Sequence, residues 1–172
     1  MESLFLRECS MKKLILLFLA ACLSFGANAQ IRSVGLSVGA FEGVSMQHWV
    51  YGTENLFQLD LGYHTGVPYS GSIRLSGTYN ITFLSPDWTT EGQWNLYAGP
   101  GAYLGGGWAT GKGLVFGVMA IVGVEYIFDS IPLQLSADMR PAIGTVLTND
   151  EFIFDKDGLL GFAPTVSVRY LF

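Results

Sequence analysis

The chain ends in Gly161-Phe162-Ala163-Pro164-Thr165-Val166-Ser167-Val168-Arg169-Tyr170-Leu171-Phe172, a segment in which two kinds of side chain alternate. Its even-numbered residues are apolar, and its odd-numbered residues are small or polar except for Leu171. Because successive side chains of a strand point to opposite faces of a sheet, a period of two predicts a β-strand with one apolar and one polar face. The alternation alone does not show whether the apolar face meets lipid or a soluble core.

The same period of two recurs upstream of this segment, and turn residues separate the repeats. We predict eight strands, at residues 31–41, 44–50, 56–65, 72–83, 93–104, 114–128, 132–146 and 161–172. Most of them are about as long as a tilted strand that crosses a bilayer. Half of the chain is apolar, yet residues 30–172 contain no apolar run of the roughly 20 residues that a membrane helix needs. This combination is typical of a membrane barrel, in which only every second residue faces lipid.

The polar faces of the predicted strands carry few charges. These charges are Asp60, Glu125 and Asp138 against Arg74, Arg140 and Arg169. Balanced charges can pair in a narrow lumen, which lowers the cost of burying them, whereas a solvated sheet face would carry many Lys and Glu. Since strands in lipid must close on themselves, the sequence predicts an all-β fold: a transmembrane antiparallel up-and-down β-barrel of about eight strands. We expect the six residues to form a charge network in its lumen.

The first residues predict an export signal. Met11-Lys12-Lys13 is basic, an apolar run follows from Leu14, and Ala27-Asn28-Ala29 matches the small-x-small cleavage pattern. We therefore predict a cleaved signal peptide at residues 1–29 and an outer-membrane β-barrel at residues 30–172.

Two alternatives remain open in this leader. Glu2 and Glu8 suit a basic leader poorly, which makes Met11 an alternative start. The stretch Leu19-Ala20-Ala21-Cys22 resembles a lipobox, so lipidation of Cys22 is an alternative to cleavage after Ala29. Both cysteines of the chain precede the cleavage site, and the mature chain therefore offers no disulfide or thiolate metal site. It keeps six basic residues against twelve acidic ones, which argues against a nucleic-acid partner.

The last seven residues, from Val166 to Phe172, resemble the C-terminal signal that the barrel-assembly machinery of bacterial outer membranes recognises. Asn95-Leu96-Tyr97-Ala98-Gly99-Pro100-Gly101-Ala102 and Gly123-Val124-Glu125-Tyr126 resemble stretches of small barrels of the Bacteroidetes kind. The chain as a whole resembles the small eight-stranded outer-membrane barrels of the OmpX and OmpA transmembrane-domain type. The resemblance implies an assembly signal at Val168, Tyr170 and Phe172, and it implies no reaction.

The same resemblance implies a location and partners. It places the chain in the cell outer membrane of a Gram-negative bacterium, as a multi-pass β-barrel with periplasmic N- and C-termini. The implied partners are outer-membrane lipid and lipopolysaccharide, with the barrel-assembly machinery during biogenesis. We expect a monomer without a cofactor.

With periplasmic termini, the order of the strands assigns each connection to one side of the membrane. Residues 51–55, 84–92 and 129–131 fall inside, and residues 42–43, 66–71, 105–113 and 147–160 fall outside, so that the longest loop is extracellular. Aromatic residues gather near the predicted strand ends, which indicates a girdle at each interface. The periplasmic girdle comprises Phe83, Trp94, Tyr126, Phe128, Tyr170 and Phe172, and the outer girdle comprises Phe41, Tyr63, Trp108 and Phe162.

The candidate chemistry is sparse. His64 shares the polar face with Asp60 and lies near Ser70 and Ser72, which would suit a Ser–His–acid triad. The alternative is a lumen histidine bonded to its neighbours. The stretch Asp155-Lys156-Asp157-Gly158 resembles the start of a calcium loop but lacks the downstream Glu, so we expect a turn and no metal site. The segment 150–155 brackets three apolar residues with acids and is a candidate for partner contact or for a simple hairpin extension.

Three function classes follow. The first is a non-enzymatic integral barrel with a structural or surface-interaction role and a lumen filled by side chains. A lipid A-modifying enzyme is the second, although no catalytic motif is recognised, and a narrow channel is the third. An eight-stranded barrel is only wide enough to be filled by side chains, and Arg74, Tyr97, Arg140 and Arg169 are bulky, which argues against an open pore.

Three prolines fall inside predicted strands, namely Pro100, Pro141 and Pro164. Each would remove a hydrogen bond from the strand ladder. The sequence Gly99-Pro100-Gly101 indicates a bulge or kink, and the strand register around all three prolines stays open.

Overall fold

The computed structural model describes residues 31–65, 71–107, 113–147, 152–155 and 164–172. The predicted signal peptide, with its alternatives at Met11 and Cys22, lies outside these ranges. Within them, no helix has the length and apolar character needed to cross a membrane.

Ten strands make up the described chain. They are β1 (Ile31–Gly39), β2 (Phe41–Trp49), β3 (Leu56–His64), β4 (Ser72–Leu84), β5 (Gln93–Gly107), β6 (Gly113–Ile127), β7 (Leu133–Met139), β8 (Ala142–Leu147), β9 (Phe152–Asp155) and β10 (Pro164–Leu171). Strands β7 and β8 are two segments of one wall, because both pair with β6. β9 pairs with β8 and extends it as a hairpin.

The strands form a closed ring. Each of β1 to β4 pairs with the next strand along the chain, and β5 pairs in turn with β6. β10 lies between β7 and β1, with Val168 opposite Leu36 of the first strand. All these pairings are antiparallel, which confirms the predicted all-β fold: a closed, eight-stranded, antiparallel up-and-down barrel.

The inner and outer faces of the barrel have inverted polarity. Thr165, Ser167 and Arg169 of β10 are fully buried, whereas Val166, Val168 and Tyr170 between them are 46–50% exposed. Among the described residues, 21 buried side chains are polar or charged and only eight are apolar. A soluble protein buries the opposite set, so the outer surface of this barrel is suited to an apolar surrounding.

The first connection is shorter than predicted. Residues 42–43 were expected to form an outer turn, and this expectation is wrong. Glu42 and Gly43 lie inside β2, opposite Tyr63 and Gly62 of β3. The chain reverses at Ala40 instead, because the preceding Gly39 adopts a φ of 121°, a conformation that L side chains rarely allow.

The three prolines occupy special positions in the ladder. Pro100 lies within β5 opposite Ala120 of β6. At this point the ladder between β4 and β5 is interrupted, because Tyr79 and Asn80 of β4 have no paired residue in β5. Pro141 separates β7 from β8, and its carbonyl accepts a hydrogen bond from the Ala120 amide at 2.9 Å. Pro164 is the first residue of β10. The missing N–H groups are thus placed at breaks and strand ends, where they cost the fewest ladder bonds.

The close approach of β4 to β5 at the Pro100 kink gives a test of the barrel wall. A Cβ on Gly99 would collide with the Tyr79 carbonyl oxygen, whereas a Cβ on Gly106 would have no atom within 4 Å. We expect Gly99→Ala to lower the free energy of unfolding by about 1–3 kcal/mol, since overpacking forces the backbone to shift. Gly106→Ala is the matched control, and denaturant unfolding of the detergent-folded protein measures both. Equal stabilities of the two variants would contradict the close approach of β4 to β5 at Gly99.

Candidate functional site: the charged barrel interior

The candidate site is the row of inward side chains that the strand register brings to one level. Asp60 of β3 lies between Ser45 of β2 and Ser76 of β4 in the ladder, and all three are buried. Since alternate residues of every strand point inward, the interior is filled by polar groups from all sides.

One cluster is centred on Glu125, near the end of the barrel that carries Ile31 and Phe172. Its carboxylate accepts two hydrogen bonds from Arg32, at 2.9 Å from Nη2 and 3.4 Å from Nη1. It also accepts from Asn95 Nδ2 at 2.8 Å and from Gln134 Nε2 at 2.5 Å. Arg32 donates further to Gln47, and its guanidinium lies 4.5 Å from the centre of the Trp49 ring. The pair is about 4% and 1% exposed, so its charges compensate each other away from water.

A second cluster is centred on Arg140, which lies just beyond the end of β7. Its Nη1 donates to Asp60 at 2.8 Å, and its Nε donates to Asp138 at 2.6 Å. Asp60 also accepts from Gln58 Nε2, and Asp138 accepts from the Tyr97 hydroxyl at 3.3 Å. The Arg140 side chain therefore crosses from β7 to β3 and ties two distant walls together.

The remaining two arginines both donate to serine hydroxyls. Arg169 of β10 donates to Ser45 at 3.0 Å and to Ser136 at 2.6 Å. Arg74 donates to Ser72 at 2.8 Å, and its guanidinium lies 4.5 Å from the centre of the Tyr103 ring. An apolar cluster of Tyr103, Val115, Ala142 and Val146 fills the same end of the interior as Arg74.

The structure places all six predicted charged residues on the inward face. It brings Asp60, Asp138 and Arg140 into one cluster, and it separates Glu125 from the other predicted arginines. Glu125 is paired instead with Arg32, which is not among the predicted lumen charges. A register shift between Ile31 and Ser33 turns Arg32 inward beside Ser33, so strict alternation could not find it. Arg32 is thus a further buried charge on the inward face, beside the six predicted ones.

The residues of the predicted assembly signal share the outward face. Val168 is 47%, Tyr170 50% and Phe172 79% exposed, and the Tyr170 and Phe172 rings make an edge contact at 5.2 Å. On the same end of the barrel, a chain of ring contacts runs over β5 and β6. Its members are Trp88, Trp94, Tyr126 and Phe128, with ring centroids 4.7–5.4 Å apart.

One residue of the predicted outer girdle is misplaced. Phe41 is buried at 4% exposure and faces the interior, with the Arg140 guanidinium 5.4 Å from its ring centre. The reason is the early turn at Ala40, which makes Phe41 the first inward residue of β2 and not the end of β1. Tyr63 lies on the outer face at 44% exposure, while Trp108 and Phe162 are outside the described residues.

The candidate chemistry is only partly within the described chain. Asp60 is engaged by Gln58 and Arg140, and His64 lies opposite Ser72 at the end of β3; Ser70 is outside the described ranges. Residues 156–158 of the calcium-like stretch are outside them as well. In the ranges that are described, no three His, Cys, Asp or Glu residues are grouped so as to hold a metal ion. Phe152–Asp155 forms β9, in agreement with the hairpin alternative for this segment.

Comparison of the chain with protein-family models, with curated proteins and with solved structures finds no match.

The buried Arg32–Glu125 pair gives a test of the interior network. We expect Glu125→Ala to lower the free energy of unfolding by about 3–5 kcal/mol, because it leaves the Arg32 charge buried without its partner. Glu54→Ala removes an exposed carboxylate and is the matched control, with an expected change within about 0.5 kcal/mol. Denaturant titration in detergent micelles measures both variants.

A double variant, Arg32→Met with Glu125→Leu, separates loss of the pair from loss of packing. It should recover most of the stability, since apolar residues of similar volume can replace a buried ion pair. If Glu125→Ala and Glu54→Ala were equally stable, the interior carboxylate would not be compensating a buried charge.

Proposed function

We propose that the protein is an integral outer-membrane β-barrel with a structural or surface-interaction role and a lumen filled by side chains. The observation that carries the proposal is the inverted polarity of the closed barrel. Outward residues such as Leu36, Val38 and Val118 are 61–65% exposed, while the charges are buried. An apolar surface of this extent around a closed ring of strands matches the hydrocarbon core of a bilayer.

The aromatic residues support the same placement. The contact chain Trp88–Trp94–Tyr126–Phe128 and the Tyr170–Phe172 pair lie at the end of the barrel that carries β1's first residue and the C-terminus. Aromatic girdles of this kind mark the membrane interfaces of outer-membrane barrels. We assign this end to the periplasmic side, with both barrel termini there.

The filled interior favours a structural role over a narrow channel. Arg140 bridges β7 to Asp60 on β3, and Arg32 bridges β1 to Glu125 on β6. Both bridges cross the space that an ion would have to pass. An enzymatic role in lipid A modification has weaker support, because Asp60, the acid nearest to His64 along β3, is already held by Arg140 and Gln58.

We also propose a more specific identity for the barrel, which rests on its sequence. The C-terminal strand with Val168, Tyr170 and Phe172 facing outward is suited to recognition by the barrel-assembly machinery. The resemblance to the OmpX and OmpA transmembrane-domain type fits the eight-stranded ring. We expect a monomer in contact with outer-membrane lipid and lipopolysaccharide, in a Gram-negative bacterium.

A charged residue introduced on the outer face of the barrel shows whether that face is surrounded by a bilayer or by water. Val118 lies near the middle of β6 and is 61% exposed, and Tyr51 is fully exposed in the connection after β2. In lipid, Val118→Arg should lower the free energy of unfolding by about 2–4 kcal/mol, whereas Tyr51→Arg should change it little. In a water-soluble barrel, both would stay within about 0.5 kcal/mol.

The measurement uses urea unfolding in liposomes, followed by the shift in gel migration between heated and unheated samples. Carbonate washing of outer membranes from the expressing bacterium gives the parallel test in cells. The wild-type protein should stay in the membrane pellet. Release into the supernatant, or equal stability of the two arginine variants, would refute the membrane placement.

A further inference from the structure

A buried hydrogen-bond donor and a buried acceptor lie on two paired residues of β7 and β10. Arg169 Nη2 is a donor and Gln134 Oε1 is an acceptor, and neither has a hydrogen-bond partner among the described protein atoms. Arg169 and Gln134 are direct partners in the ladder between the two strands, and both side chains are fully buried. A buried donor or acceptor without a partner is costly, and more so on a charged group.

Neither side chain is free to turn toward the other. The other two guanidinium nitrogens of Arg169 are held by Ser45 on one side and by Ser136 on the other. The Gln134 amide is oriented by the bond from its Nε2 to Glu125. Reversing this amide would set its carbonyl oxygen against the Glu125 carboxylate, so the observed orientation is the favoured one.

We propose that a buried water molecule binds between Arg169 and Gln134, accepting from Nη2 and donating to Oε1. A water has both functions, and buried waters typically join polar groups that the protein leaves unpaired. Protein hydrogen bonds already run from Arg32 through Gln47 and Gln58 to Asp60. The water adds a second connection, on the β7–β10 side of the lumen. Gln134 belongs to the cluster around Glu125, whereas Arg169 lies within electrostatic reach of Asp60, Asp138 and Arg140. The water thereby attaches Arg169, with its partners Ser45 and Ser136, to the network around Glu125.

A small anion fits this position less well than water. An anion can only accept hydrogen bonds, so it would face the Gln134 carbonyl oxygen with no donor for it. Glu125, which Gln134 binds, would repel an anion further.

The opposite wall of the lumen shows the same pattern independently. Ser76, Thr78 and Asn80 are successive inward residues of β4, which lies four strands away from β10 in the ring of eight. The hydroxyls of Ser76 and Thr78 and the Asn80 carbonyl oxygen have no partner among the described protein atoms. Successive inward residues of a strand lie about 7 Å apart, so these groups offer donors and an acceptor to further buried waters along β4.

The direct test is a crystal structure of the detergent-solubilised protein grown once in sodium chloride and once in sodium bromide. We expect an electron-density peak about 2.7–3.2 Å from both Arg169 Nη2 and Gln134 Oε1, without an anomalous bromide signal. An anomalous bromide peak at this position would show that an anion, and not a water, binds there, and it would overturn the proposal. Direct contact of the two atoms, or no peak between them, would overturn it as well.

A second measurement does not depend on crystals. In protein labelled with ¹⁵N-arginine in micelles, the Arg169 guanidinium protons should show cross-peaks to a water molecule. Arg140 is the matched internal control, because its Nη1 and Nη2 already bind Asp60 and Asp138. Arg169→Lys should remove the cross-peaks and so assign them. Cross-peaks of equal strength at Arg140 would indicate a generally hydrated lumen and would contradict a specific site.

Discussion

The pairing of β1 with β10 is the constraint on which the rest of the structure depends. Seven residue pairs, from Ser33 with Leu171 to Gly39 with Thr165, join the first and last strands and turn an open sheet into a ring. A closed ring leaves the strands of the wall without an edge, which is the condition for placing strands in lipid. It also encloses the inward side chains, and the charged residues buried there are compensated by groups of the protein itself.

The buried charges meet this requirement by spanning the interior. Arg140 joins two carboxylates, Glu125 collects hydrogen bonds from three side chains, and Arg169 crosses the seam between the first and last strands to reach Ser45. Each interaction holds walls that are distant in the ring, so the same contacts that compensate charge also fix the shape of the barrel. A water between Arg169 and Gln134 would complete this arrangement at the point where protein groups alone do not.

The sequence predicts the fold well because one physical rule, the alternation of two faces, operates in every strand. β3, β4 and the long hairpin of β5 and β6 lie close to their predicted bounds. The rule fails where the backbone departs from regular pleating. Gly39 permits an early turn that reverses the assignment of Phe41, and the register shift beside Ile31 turns Arg32 inward. The partners of Glu125 and Asp60 depend on distances across the lumen, which no local pattern contains.

The most direct test of a membrane barrel with an inverted interior is site-directed spin labelling along β10. Since residues 31–172 contain no cysteine, single cysteines can be placed at Val166, Ser167 and Val168 and labelled in liposomes. Labels at Val166 and Val168 should collide with lipid-soluble oxygen and be shielded from a water-soluble nickel reagent, and the label at Ser167 should be shielded from both. Strong collisions of the nickel reagent with labels at Val166 and Val168 would contradict the account, because they would show that the apolar face lies in water.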